Sequence, residues 1–219
     1  MKIDLQQLSK HYRTKRGSVQ ALDAVDLSID AGEFVAIRGP SGCGKTTLLL
    51  ALGGMLRPTS GTVTVDDTDL YRLSSKERAA FRACRIGFVF QMFHLVPYLS
   101  VLENLWLGSG VRANTRPDKK RAAELLDQLG IIDRQHHLPS ELSAGEKQRA
   151  AVARAMINTP EAILADEPTG NLDPDNEADV VRYLQDFNKQ GGTVVMVTHG
   201  TAADHAANRI ISLENGRML

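Results

Sequence analysis

Gly39-Pro40-Ser41-Gly42-Cys43-Gly44-Lys45-Thr46 fits the pattern G-x-x-x-x-G-K-[ST]. The glycines let the main chain wrap so that several N–H groups converge on an anion. A helix that follows such a loop turns its positive N-terminal end toward the same anion. The short apolar run Glu33–Arg38 before the loop has the pattern of a buried strand, and Lys45–Met55 after it reads as a helix. Strand, glycine loop and helix together predict a phosphate cradle. Gly39, Pro40, Ser41, Gly42, Cys43 and Gly44 form its wall, with Lys45 on the β- and γ-phosphates, Thr46 on Mg²⁺ and Thr47 beside them.

Working outward, Ala21–Ile29 alternates and stops at the turn Asp30-Ala31-Gly32, and Lys2–Leu8 alternates as well. Thr62–Val65, Gly87–Phe90, Ala162–Ala165, Thr193–Thr198 and Ile210–Leu213 read as further strands. Pro117–Leu129, Gly145–Ile157 and Asn176–Gln190 read as helices, the first of them stopped by Gly130. Strands alternating with helices predict an α/β fold with a mainly parallel sheet, preceded by an antiparallel β part. Residues 92–156 change to helices and loops and read as an inserted helical lobe. With no linker in view, residues 1–219 are expected to form one domain.

Composition narrows the function. The 26 Lys and Arg balance the 26 Asp and Glu, which leaves no basic excess for a nucleic-acid partner. Met1–Lys10 has no apolar signal core, and Thr46–Leu56 is far shorter than the roughly 20 residues that span a bilayer. Cys43 and Cys84 lack metal-ligand spacing, which fits a reducing cytoplasm. Any service to a membrane is then expected through a partner.

A second chemical site ends the run Ile163-Leu164-Ala165-Asp166-Glu167-Pro168. Ligands of a parallel sheet bind at the carboxyl ends of its strands, so both acids are expected beside the phosphate loop. Asp166 is the candidate Mg²⁺ ligand, and Glu167 the group that polarises the attacking water. His199 follows the strand Thr193–Thr198 and is expected to donate to the γ-phosphate. Gln91 follows the strand Gly87–Phe90 and is a candidate γ-phosphate or Mg²⁺ sensor.

Leu142-Ser143-Ala144-Gly145-Glu146-Lys147-Gln148-Arg149 resembles the LSGGQ signature of ABC ATPases and stands 24 residues before Asp166, as in that family. The phosphate loop, Gln91, the signature, Asp166-Glu167, Asn171-Leu172-Asp173 and His199 follow in family order along essentially the whole chain. The resemblance implies a P-loop NTPase core of RecA-like type that binds and hydrolyses ATP with Mg²⁺. It implies that Tyr12 stacks on adenine, that Asp173 belongs to a loop linking two sites, and that Ser143 and Gly145 contact ATP held by a second copy. A homodimer closing around two ATP is therefore expected. Ala144 and Glu146 depart from the usual glycine and glutamine. Phe88-Val89-Phe90-Gln91, Leu95, Pro97 and Gly170-Asn171-Leu172-Asp173 resemble the lipoprotein-releasing and macrolide-efflux branch. That likeness implies an FtsX-like or MacB-like integral-membrane permease, with this chain peripheral on the cytoplasmic face. A regulatory subunit that signals through such a partner without transport shares every motif.

Overall fold

The computed structural model describes residues 1–14, 17–109 and 118–219. A four-stranded antiparallel sheet is built from β1 (Ile3–Thr14), β2 (Gly17–Ile29), β4 (Ser60–Val65) and β5 (Thr68–Asp69), in the order β2-β1-β4-β5. The second sheet holds β3 (Phe34–Arg38), β6 (Ile86–Phe90), β7 (Ala162–Asp166), β8 (Thr193–Thr198), β9 (Arg209–Glu214) and β10 (Arg217–Met218), ordered β10-β9-β3-β8-β7-β6. Every pairing in it is parallel except β10 with β9. The expected α/β fold with an antiparallel β part is the one observed.

Alternation along the central strands explains why both faces are covered. Val35, Ile37, Leu164, Val195 and Val197 join a core with β1, β2, β4 and α1 (Lys45–Leu52). Phe34, Ala36, Ile163, Ala165, Val194 and Met196 join the opposite core, with α3 (Val101–Ser109), α4 (Lys119–Gln128), α5 (Ala144–Met156) and α6 (Pro174–Lys189). A parallel sheet buried on both faces needs such continuous apolar runs. The helices between β6 and β7 are α3, α4 and α5, where the composition changes to helices and loops. Pro117, the expected start of α4, lies outside the described residues.

Several boundaries differ from expectation. The helix after the phosphate loop stops at Leu52 rather than Met55, because Gly53-Gly54 follows and Gly54 is left-handed at φ 66°. The carbonyls freed there find side-chain donors. Tyr71 Oη donates to Ala51 O at 2.7 Å, while Arg78 Nε and Arg82 Nη1 donate to Gly54 O at 3.1 and 2.9 Å. Helix α6 starts at Pro174, two residues early, since the Asp173 side chain caps it.

Helix α2 (Ser75–Arg85) is an element that the apolar periodicity does not announce, because it fully buries none of its residues. Its signal is the capping box Ser74-x-x-Glu77. Glu77 N donates to Ser74 Oγ at 3.3 Å and Ser74 N donates to Glu77 Oε2 at 2.9 Å. With so little burial, the cap carries much of what holds this helix. Ser74→Ala should lower stability by about 0.5–2 kcal/mol in urea denaturation. An unchanged midpoint would show that the arginine contacts to Gly54, the Arg85 ion pairs and the packing of Phe81 hold α2 without the cap.

Candidate functional site

Register decides what converges. Phe90 pairs with Asp166, Asp166 with Val197, and Thr198 with Arg38, so β6, β7, β8 and β3 end along one line. The residues just past that line are Gln91, Glu167, His199 and Gly39. Sequence-distant groups thus meet at the carboxyl edge of the sheet, which is where a parallel sheet binds ligands.

A cavity of about 350 Å³ lies there, lined by Ala21, Ser41, Gly42, Gly44, Lys45, Thr46, Thr47, Gln91, Glu167 and His199. Gly44 sits at φ 109°, and a Cβ on it would lie 2.2 Å from Ala21 O. Only glycine satisfies both demands. Ala21, on β2, is the wall residue that local motif reading misses, because nothing near it in sequence points to a phosphate loop. Cys43 is buried and packs in the β1–β4 core rather than lining the cavity, and Gly39 and Pro40 contribute their carbonyls.

Lys45 is 7% exposed, and its Nζ donates to Gly39 O at 2.7 Å and Pro40 O at 3.0 Å. It lies 3.7 Å from Glu167 Oε1. Thr46 Oγ1 donates to Asp166 Oδ1 at 3.0 Å. Burial pushes the Asp166 carboxyl above its usual range; Glu167 adds to this, while Thr46 and Lys45 oppose it. A half-buried carboxylate beside a hydroxyl is an all-oxygen donor set, which fits a hard cation such as Mg²⁺.

Glu167 has a left-handed backbone at φ 45°, held by its N–H donating to Val197 O at 2.9 Å. Its Oε2 accepts from His199 N at 3.1 Å and lies 2.8 Å from His199 Nδ1. An imidazole that donates from Nδ1 to this carboxylate can also donate from Nε2 only when both ring nitrogens carry protons. Gln91 packs against the same loop, with its Nε2 2.7 Å from where a Cβ on Gly170 would stand.

Tyr12 sits at the margin of this cavity. Its hydroxyl is 3.5 Å from Thr47 Oγ1, and Lys10 Nζ is 5.2 Å from its ring centroid. Ser143, Gly145 and Asp173 do not line the cavity; they meet at the N-terminal ends of α5 and α6. Ser143 caps α5, with Glu146 N donating to its Oγ at 3.2 Å. A capping hydroxyl accepts one bond and still has its own proton to donate.

Both departures in this segment have local reasons. Ala144 is the first residue of α5, where ordinary helical angles suffice and no glycine is needed. Glu146 completes the cap through Ser143 N and pairs with Arg134 Nε at 2.9 Å. Those bonds hold its carboxyl down at about 2, the Ser143 backbone contributing most.

Asn176 binds these pieces together. Its Nδ2 donates to Asp173 Oδ2 at 2.7 Å and its Oδ1 accepts from Arg149 Nη1 at 2.9 Å. A Cβ on Gly145 would stand 2.0 Å from that same Oδ1. Gly145→Ala should therefore destabilise the fold by about 1–3 kcal/mol, because displacing Asn176 breaks bonds to Arg149 and Asp173. In an Asn176→Ala background the sign should reverse, since alanine is the better helix former by about 1 kcal/mol. Paired urea melts of the four proteins would check this, and equal effects in both backgrounds would contradict it.

The ABC transporter family profile matches residues 22–170. The lipoprotein-releasing system ATP-binding protein LolD of Bacteroides fragilis is 43% identical over 219 residues, covering 99% of this chain and 100% of that protein. The macrolide export ATP-binding/permease protein MacB of Burkholderia cenocepacia is 43% identical over 218 residues, but this chain spans only 32% of its length. A solved dimeric bacterial ABC transporter cassette superposes with a TM-score of 0.93 at 39% identity, over 99% of this chain and 96% of that one. A second dimeric cassette, in a post-hydrolysis state with ADP and Pi, gives the same TM-score of 0.93 at 38% identity, over 99% of this chain and 96% of that one. The chain belongs to the ABC transporter family, as one of its ATP-binding cassettes.

Proposed function

We propose that this chain hydrolyses ATP as one half of a homodimer, and that the cycle drives a separate integral-membrane permease of the FtsX or MacB kind. The carrying observation is the convergence of Lys45, Thr46, Asp166, Glu167, His199 and Gln91 on one cavity at the sheet edge. On this reading residues 1–219 act as one ATP-binding domain, and 92–156 are its helical lobe. The protein works at the cytoplasmic face of the membrane through its partner.

Each group then has a task. Main-chain N–H groups of residues 39–44 and the N-terminus of α1 hold the phosphates. Lys45 exchanges its carbonyl partners for phosphate oxygens. Thr46 and Asp166, with Gln91 nearby, would hold Mg²⁺, which supplies charge neutralisation between the β- and γ-phosphates. Tyr12 stacks on the adenine ring. Glu167 orients a water for in-line attack and takes up its proton, while His199 fixes the Glu167 carboxylate and reaches the γ-phosphate. Ser143 and Gly145, at the N-terminus of α5, close the site of the other copy, and Asp173 lies in the loop between the sites. The dimeric state of both solved cassettes supports that last assignment.

Hydrolysis is tested by phosphate release. Glu167→Gln keeps the size and one oxygen but loses the carboxylate, so turnover should fall by about 10²–10⁴ with ATP affinity intact. Lys45→Ala should instead lose ATP affinity. Wild-type turnover in Glu167→Gln would remove Glu167 from the mechanism.

The permease contact is expected on residues 92–107. Met92 and Tyr98 are 69% and 78% exposed there. Beside them Met55, Phe88, Phe90 and Gly108 line a groove of about 410 Å³. Phe93 and His94 are both left-handed, at φ 58° and 49°, and Arg154 from α5 donates to both carbonyls. Met92 thus flanks a turn pinned by Arg154, and Tyr98 stands on a second turn held by Asn104 through Val96 N and Leu99 O, a fixed surface suited to receive a short cytoplasmic helix. Tyr98→Ser should leave ATP turnover of the isolated chain unchanged and abolish its stimulation by the co-purified permease. Retained stimulation would count against this surface.

A further inference from the structure

Gln148 has no task in the scheme above, yet it is fully buried, at 0% exposure. It lies on α5, one turn beyond the Ser143–Gly145 segment. Its Nε2 donates to Pro168 O at 2.5 Å, and Pro168 is the residue after Glu167. Its Oε1 is buried with no hydrogen-bond partner among the described residues. An amide with one end unpaired costs stability against an apolar side chain of the same size. What Gln148 contributes is therefore the one bond that it makes. The next residue, Arg149, grips the far end of the same loop through Asn176 and Asp173. Two neighbouring side chains of one helix thus hold both ends of segment 168–176.

That segment follows a strained residue. The left-handed Glu167 is fixed on the sheet side by its N–H to Val197 O, and Gly170 N–H closes the turn on Glu167 O at 3.1 Å. The Gln148 bond is the support from the helix side. We propose that Gln148 is a positioning residue, tying the Ser143–Gly145 turn of α5 to this chain's own Glu167 loop. This rests on the dimer proposed above. There the turn serves the ATP of the other copy while Glu167 serves its own, so a shift of either end moves the other through a single packed helix. The two ATP sites are then coupled through Gln148 within each chain.

Steady-state ATPase kinetics of the full chain test it. Gln148→Leu fills the same space without the donor. Its kcat should fall by about 10- to 100-fold, as expected when a catalytic group is misplaced, while the KM for ATP stays unchanged. The wild type is expected to show a sigmoidal dependence of rate on ATP that becomes hyperbolic in the variant, and Tm should hold or rise because the orphan oxygen is gone. Gln148→Met, with an unbranched side chain of similar length, should behave alike and serves if the leucine variant fails to fold. Wild-type kcat in a folded variant overturns the proposal. So does a raised KM at full kcat, or a kcat loss that follows a drop in Tm. A wild-type curve that is already hyperbolic overturns the coupling. Glu167→Gln run alongside separates the two readings. If it is inactive while Gln148→Leu is normal, only the role of Gln148 fails; if it is fully active, the Glu167 reading itself fails.

Discussion

The parallel register of β3, β8, β7 and β6 is the constraint from which the rest follows. Backbone hydrogen bonds align Arg38 with Thr198, Asp166 with Val197 and Phe90 with Asp166. A slip of one residue in any strand would turn its side chains to the opposite core and withdraw its terminal group from the cavity. The two-sided apolar packing forbids that slip. Val195 and Val197 belong to one core, and Val194 and Met196 to the other. Hydrophobic burial far from the chemistry thus sets the separation of Lys45, Glu167 and His199.

Electrostatics then acts on a geometry already fixed. Lys45 lies 3.7 Å from Glu167 and Thr46 donates to Asp166, so each acid of the adjacent pair has a partner that offsets their mutual repulsion. The strained Glu167 backbone is tolerated because neighbours determine it from several directions. Contacts to β8, to the turn at Gly170 and to α5 each limit where its carboxylate can point. The α5 helix consequently faces two ways: its N-terminal turn is presented outward, and the next turn holds the loop behind Glu167.

Much of this was legible in the sequence, for a physical reason in each case. The phosphate loop and the Asp166-Glu167 strand end are local, because their chemistry requires fixed spacing along the chain. The central strands are short apolar runs with few other readings. Helix α2 is hard to read because its apolar residues are few and mostly alanine, although the Ser74 and Glu77 cap is present. The end of α1 is set by Gly53-Gly54 inside a run that stays apolar to Leu56, and the donors that satisfy its freed carbonyls, Tyr71, Arg78 and Arg82, come from a later part of the chain. Ala21, Gln148 and Asn176 matter through contacts that cross tens of residues, and no pattern in one sequence encodes such pairs. Ala144 departs from the usual glycine of the signature, yet it is an ordinary first residue of a helix.

On the proposed reading ATP joins two copies, each offering its phosphate loop to one nucleotide and its Ser143 turn to the other. Sedimentation velocity of Glu167→Gln with ATP measures it most directly, since the nucleotide then survives the run. A dimer with one ATP per chain is expected. Adding Ser143→Arg should return the protein to a monomer that still holds its ATP. A Glu167→Gln protein that binds ATP yet stays monomeric, or a dimer untouched by Ser143→Arg, would contradict it.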